Sequence, residues 1–145
     1  MPVFERHRGP GTTAEVDFWT KREVREVNRC HLNYVVADTE RWEQSAAWQL
    51  DRHPRVQAFA KNAGLGFAIP YLHNGQSHEY QPDFLARLSP EHHMILEIKG
   101  FDPLEEVKIQ AAHRWVNAVN ADGTWGHWDY RLARTPGEVG KLREE

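Results

Sequence analysis

The chain has 145 residues, 40% of them hydrophobic and 11% aromatic with six Trp, enough for one core and too apolar for a disordered linker. Its net charge of −3 and pI near 6.3 argue against a protein that coats nucleic acid through a broad basic surface. They leave room for an enzyme whose clustered carboxylates hold a metal.

The first residues, MPVFERHRGPG, carry early charges and no apolar h-region, so no secretory leader is read here. Apolar runs fall short of the ~20 residues that a membrane span requires. Cys30 is the single cysteine, which excludes an internal disulfide and a Cys-rich zinc site. The expectation is a cytoplasmic protein with no membrane contact: an irregular arm over 1–12, one domain over 13–135 and a charged, frayed tail over 136–145.

Val, Phe, Trp and Tyr content predicts strands over Ala14–Thr20 and His31–Ala37, with the charged KREVREVNR between them either strand or turn. Asp38 or Thr39 is placed to cap a helix with Glu40 in its first turn. Trp42, Ala46, Ala47 and Leu50 then recur at helical spacing. Pro54 is read as opening a second short helix through Phe59 and Lys61, stopped by Gly64.

From Gly66 the pattern changes to strands. GFAIPYL runs into Asn74-Gly75, the strongest short hairpin signal, and a return strand is expected from Glu79 to Leu88. SPEHH connects it to a third strand, MILEIKG, giving a three-stranded antiparallel meander. Leu104, Val107, Ala111, Ala112, Trp115 and Val119 form the apolar stripe of a long helix. Asp122-Gly123 turns the chain into a last strand, TWGHWDYRLAR. Trp115 fits the core better than a base-stacking role, and Asn117, Asn120 and Gly123 read as helix-end and turn residues. The adjacent His92 and His93 fall in a turn, where their side chains diverge, and no HExxH zinc motif is present.

Charge inside the greasiest segments is the informative feature. Strand alternation sends Ile95, Glu97 and Lys99 to one face and Met94, Leu96 and Ile98 to the other. A hairpin centred near residue 90 pairs residues whose numbers sum to about 180, which sets Asp83 opposite Glu97. Directly opposed residues have Cβ atoms only ~5 Å apart, so the two carboxylates repel unless a cation lies between them. Carboxylate oxygens suit Mg²⁺ or Mn²⁺. Lys99, on the same face, can hold or help deprotonate a water, or neutralise charge on a phosphate. This is the equipment of metal-assisted phosphodiester hydrolysis.

Pro82-Asp83 followed by Glu97-Ile98-Lys99 resembles the PD-(D/E)XK nuclease signature. NYVVADTERWEQSAAWQL, KNAGLGFAIPYLHNG, YQPDFLARL, LEIKGFDPLEEVK and RWVNAVNADGTWGHW resemble, more closely, the C-terminal endonuclease domain of type III restriction enzymes. The resemblance covers roughly residues 10 to 131. It implies an α/β, restriction-endonuclease-like fold with a central mixed sheet, an αβββαβ core and extra N-terminal strands. It implies an endonuclease that leaves 5′-phosphate and 3′-hydroxyl ends on DNA. Asp83, Glu97 and the backbone carbonyl of Ile98 would bind Mg²⁺ or Mn²⁺, Lys99 would position the water, and Glu43 would supply an additional acid to the metal or to Lys99.

His78, Gln81 and Lys108 are candidate substrate contacts. Two departures stand beside the resemblance. No GxxxxGK[ST] motor motif occurs, so the chain is either part of a longer subunit or a stand-alone relative, and Gln110 is followed by Arg114 where an exonuclease QxxxY would place Tyr. The acidic balance leaves the grip on DNA to an ATP-driven translocase, a methyltransferase subunit or a second copy of the chain. A non-catalytic DNA-binding or docking module on the same fold, and a structure-specific nuclease on branched DNA or RNA, are the alternative readings.

Overall fold

The computed structural model describes residues 24–26, 29–30, 34–36, 42–63, 65–100 and 102–141. The arm over 1–12, the strand expected at Ala14–Thr20 and the caps proposed at Asp38 or Thr39 lie outside the described residues. The elements are β1 (Val24–Glu26), β2 (Tyr34–Val36), α1 (Trp42–Arg52), β3 (Ala58–Lys61), β4 (Ile69–His73), β5 (Gln76–Tyr80), β6 (Phe84–Ser89), β7 (His92–Ile98), α2 (Glu105–Asp122), β8 (His127–Ala133) and α3 (Pro136–Val139).

β7 is the axis of the molecule. Its near-continuous apolar run, Met94 to Leu96 with Ile98, is what a strand buried on both faces requires. β6 pairs with it antiparallel through the short Pro90-Glu91 connection, and β8 pairs with it parallel. Parallel neighbours need a crossover, which α2 supplies. β3 closes the other side, so the central four-stranded sheet has the order β3-β6-β7-β8 and is mixed. β1–β2 and β4–β5 form separate two-stranded antiparallel sheets.

Alternation divides the core in two. Phe84, Ala86, Met94, Leu96 and Ile98 face α1 and α3, packing on Ala46, Ala47, Leu50 and Val139. Leu85, Ile95 and Tyr130 face α2 and the β4–β5 hairpin, packing on Ala111, Ala112, Val116, Ile69, Tyr71 and Tyr80. The fold is therefore α/β, a mixed central sheet covered on both faces. Among the described residues, no helix is long and apolar enough to cross a membrane.

Four expectations are corrected, the first being that His92 and His93 fall in a turn: they open β7. Phe59 and Lys61 belong to strand β3, not to a helix opened by Pro54. Pro54-Arg55 form only a turn, and pairing with β6, together with the edge-to-face contact of Phe59 on Phe84 (6.2 Å), overrides the helix preference of Ala58 and Ala60. The expected return strand from Glu79 to Leu88 is two strands, so no three-stranded meander forms. Pro82 lacks the N–H that a continuous ladder needs, and the chain leaves β5 for a new sheet at Gln81–Asp83. The tail is not frayed at its start: Pro136–Val139 make one helical turn that buries Val139 completely.

Other signals read correctly. Asn74 and Gly75 both take left-handed φ values, 51° and 74°, as a two-residue hairpin turn of the primed type demands. Gly123, at φ 75°, ends α2 with its N–H on the Val119 carbonyl. Asn120 does more than end a helix: its side chain accepts from the Trp128 N–H (2.8 Å) and donates to the Trp128 carbonyl (2.9 Å), anchoring β8 to α2. Trp115 packs edge-on against Phe67 and Trp128, as a core residue.

Fully buried Leu96 should be the test of this packing. Leu96→Ala is expected to lose about 2–5 kcal/mol in urea unfolding, whereas Leu72→Ala, on the exposed side of β4, should change stability by less than about 0.5 kcal/mol.

Candidate functional site

The β6–β7 ladder runs Phe84–Leu96, Leu85–Ile95, Ala86–Met94 and Arg87–His93, each pair summing to 180 as the sequence suggested, and slips by one residue only at the turn. One step beyond Phe84–Leu96, Asp83 meets Glu97. Asp83 is tied to the end of β7 by two hydrogen bonds: its N–H donates to Glu97 Oε2 (3.1 Å), and the Ile98 N–H donates to Asp83 Oδ2 (2.9 Å). The Asp83 carbonyl accepts from the Asn62 N–H (2.8 Å), which ties the site to the end of β3.

Glu97 is 5% exposed. Burial, and then the charge of Asp83, push its carboxyl up to about 7 from the ordinary 4.5, against the opposing effects of the Tyr80 hydroxyl, the Lys99 charge and the Asp83 N–H. The Tyr80 hydroxyl is also 3.1 Å from that of Tyr130 on β8. Burial followed by the Glu97 charge holds Tyr80 well above the ordinary phenol range, and Tyr130 is raised to about 12, chiefly by burial. Both phenols thus stay neutral and can donate.

Lys99 follows β7 on the same side as Glu97, its backbone N–H bound to the Ala133 carbonyl (3.0 Å). Its ammonium lies 2.9 Å from Asp102 Oδ2, and the Lys108 ammonium of α2 lies 2.8 Å from the same oxygen. Burial works against the Lys99 charge, but the Asp102 hydrogen bond and the charges of Asp102 and Glu97 outweigh it and hold Lys99 above the ordinary lysine value. Asp102 is held far below the carboxylate range by Lys108, the Leu104 N–H and Lys99. Its Oδ1 accepts that Leu104 N–H (2.9 Å), so one aspartate both opens α2 and fixes the two lysines. Arg134 at the end of β8 grips the Glu105 carboxylate and donates to the Gly100 carbonyl (3.1 Å), closing the same corner.

The structure therefore gathers Asp83, Glu97, Ile98, Lys99 and Lys108 at one end of β7. The Ile98 N–H engages Asp83; its carbonyl was the atom expected to contact a metal. Gln81 is exposed two residues before Asp83. His78 lies on β5 and stacks on its cross-strand partner Tyr71, with ring centroids 5.4 Å apart. Glu43 is in the first turn of α1, and its side chain lies outside the described residues; the helix packs on the sheet face opposite to that of Glu97.

Sequence reasoning missed Asp102, Tyr80 and Tyr130. Asp102 had a usable signal, since Asp-Pro after a strand is turn chemistry three residues from Lys99. The Tyr pair had none, because their meeting depends on the parallel placement of β8.

The donor set fits a hard divalent cation. Two carboxylates are held side by side by backbone N–H groups, one of them reluctant to ionise because it is buried and, after that, because the other is charged, and a cation would relieve that repulsion.

A pH prediction follows from Glu97. Between 4.5 and about 7 the folded chain holds more protons than the unfolded one, so metal-free stability should fall as pH rises through this window and level off above it. Melting curves from pH 4.5 to 8 should register a loss on the order of a few kcal/mol from this group. Millimolar Mg²⁺ or Mn²⁺ at pH 8 should raise the melting temperature, and Glu97→Gln should remove both the slope and the metal response. A pH-independent, metal-insensitive melt of the wild type would refute this account of the carboxylate pair.

No protein-family model, no curated protein and no solved structure matches the chain.

Proposed function

We propose that the chain is a PD-(D/E)XK-type, Mg²⁺- or Mn²⁺-dependent endonuclease domain that hydrolyses DNA phosphodiester bonds. The observation that carries this reading is the Asp83–Glu97 pair: two carboxylates locked together by register, with a lysine cation on the same side. The element order supports it as well. With the β4–β5 hairpin set aside as an insertion, α1-β3-β6-β7-α2-β8 follows the αβββαβ order of the restriction-endonuclease-like fold.

Asp83, Glu97 and the Ile98 carbonyl are the groups that would hold the ion. When bound, it supplies Lewis-acid stabilisation of charge on the phosphate oxygens. Lys99 is held protonated, which suits orienting a water and offsetting phosphate charge better than acting as a base. Lys108 adds a second cation beside it through Asp102. In the hydrolysis a water oxygen bonds to phosphorus as the bond to the 3′ oxygen breaks. The water's two protons end on the 3′-hydroxyl and in solvent or on the 5′-phosphate.

The neutral phenols of Tyr80 and Tyr130 keep the Glu97 carboxylate oriented within a largely buried setting. The net charge of −3 favours delivery of DNA by an ATP-driven translocase, a methyltransferase subunit or a second copy of the chain over tight intrinsic binding.

A second reading is supported by the Lys99–Asp102 ion pair, which engages the lysine away from the carboxylates. On that reading the chain is a DNA-binding or docking module that does not cut.

Incubation with supercoiled plasmid, branched DNA and RNA in Mg²⁺ or Mn²⁺ separates the readings. Nuclease function predicts cutting that falls about 10²-fold or more in Asp83→Ala and in Lys99→Ala. DNA affinity with no cutting, unchanged by Asp83→Ala, supports the docking module instead. Equal cutting by wild type and both variants would place the activity outside this site.

A further inference from the structure

The opposite end of β7 carries a second cluster of ligating groups. His92 and His93 do not lie in a turn: they open β7, and the slipped register at Ser89 brings His92 directly after the hairpin connection. His92 pairs with His127, the first residue of β8, and in parallel strands register partners project to the same face. Asp129, two residues further along β8, projects there too. The two imidazole rings have centroids 5.1 Å apart. Asp129 Oδ2 is 2.5 Å from His92 Nε2, and its Oδ1 is 3.4 Å from His127 Nε2. One donor atom from each residue lies within 4.8 Å of the others.

This convergence is built into the backbone. The His127 N–H donates to the Glu91 carbonyl (2.7 Å), seating the start of β8 on the hairpin turn that precedes β7. Gly126 makes that approach possible. Its φ is 78°, and a Cβ there would lie 2.7 Å from the same Glu91 oxygen. A side chain at 126 would thus push His127 away from His92.

We propose that His92, His127 and Asp129 form a binding site for a first-row transition metal ion of the zinc class, separate from the carboxylate pair. Two imidazoles and one carboxylate are the ligand types zinc uses, whereas Mg²⁺ prefers oxygen alone. Tetrahedral ligands about 2.0–2.1 Å from an ion sit about 3.3 Å from one another, a spacing that small side-chain rotations reach from the present one. Three protein ligands leave a fourth position for water or for a donor from another molecule. His127 is 61% exposed and Asp129 38%, so that position opens to solvent. An ion here would add a staple between β8 and β7 at the end where their parallel pairing begins.

The ion does not compete with the proposed nuclease metal. His92 and Glu97 are five residues apart on one strand, about 16 Å, and an odd separation puts them on opposite faces.

The assignment is tested by titrating the chain with ZnCl2 in excess MgCl2, with CoCl2 as a spectroscopic substitute whose visible absorption reports coordination by nitrogen. One ion per chain is expected, with a rise in melting temperature because the ion binds only the folded form. Binding should weaken at least about tenfold in His92→Ala and in His127→Ala, since losing even an outer partner of a metal ligand costs about 10–100-fold. It should persist in Asp83→Ala. His127 is exposed enough that its replacement leaves the metal-free melt unchanged, which keeps this arm informative. Absence of zinc binding in the wild type, equal binding by wild type and both histidine variants, or loss of binding in Asp83→Ala would each overturn the proposal. The last outcome would mean that zinc had entered the carboxylate site.

Discussion

The paired bonds between Asp83 and the end of β7 are the constraint on which the rest of the site depends. Each carboxylate is fixed by a backbone N–H belonging to the other's segment, Asp83 to Glu97 and Ile98 to Asp83. These backbone-to-side-chain bonds hold the chain beside β7 one step past the last ladder pair, Phe84–Leu96, after Pro82 has broken it away from β5. They also force two acids into a setting where ionising both is unfavourable, and burial rather than solvent decides the acidity of Glu97. A fold indifferent to chemistry would fill these positions with apolar residues, as it does at Ile95 and Leu85 directly below them.

What surrounds the pair is organised to keep the reluctant charge in place without quenching it. Tyr80 reaches Glu97 from the β4–β5 hairpin, and Tyr130 holds Tyr80 from β8. The hairpin is therefore more than an insertion: without it the Glu97 carboxyl would lose a donor and part of its cover. On the solvent side Asp102 has the complementary task. It gathers Lys99 and Lys108 while opening α2, so the crossover that makes β8 parallel also sets the cations. Under the nuclease reading, scissile phosphate and water would arrive on this open side, since Lys99 is 40% exposed and Glu97 is not.

Legibility in the sequence tracked the range of the interaction. The Asn74-Gly75 turn, the α2 stripe and the Gly123 cap are local, and each appeared where its residues said. The Asp83–Glu97 register was readable because a hairpin centred near residue 90 pairs positions whose numbers sum to about 180, although the slip between Arg87 and Ser89 that keeps this sum was not. The same arithmetic could not tell where Pro82 divides two sheets, nor that β3 rather than a helix would follow Pro54, because both depend on which distant edge is available for pairing. Asp102, Tyr80 and Tyr130 were illegible for the same reason. So was the buried Val139, a lone apolar residue in PGEVGK whose partners on α1 lie about ninety positions earlier.

Strand parity explains how one seven-residue strand can serve two unlike groups of ligands. β7 is covered on both faces, so every side chain in its middle must be apolar, and chemistry can sit only at its ends. At the C-terminal end Glu97 projects toward α2, where Tyr80, Asp102 and Lys108 wait. At the N-terminal end His92 projects to the face that α1 and α3 cover and meets His127 and Asp129 of β8. The ends consequently differ in donor chemistry as well as in place: two carboxylates meet at one and two imidazoles with a carboxylate at the other, and in general oxygen donors suit hard cations while imidazoles suit softer ones. Swapping the two would require a shift of β8 by one residue, which would turn Tyr130 and Asp129 to the wrong faces together. The β7–β8 register is thus under two independent constraints, one from each end.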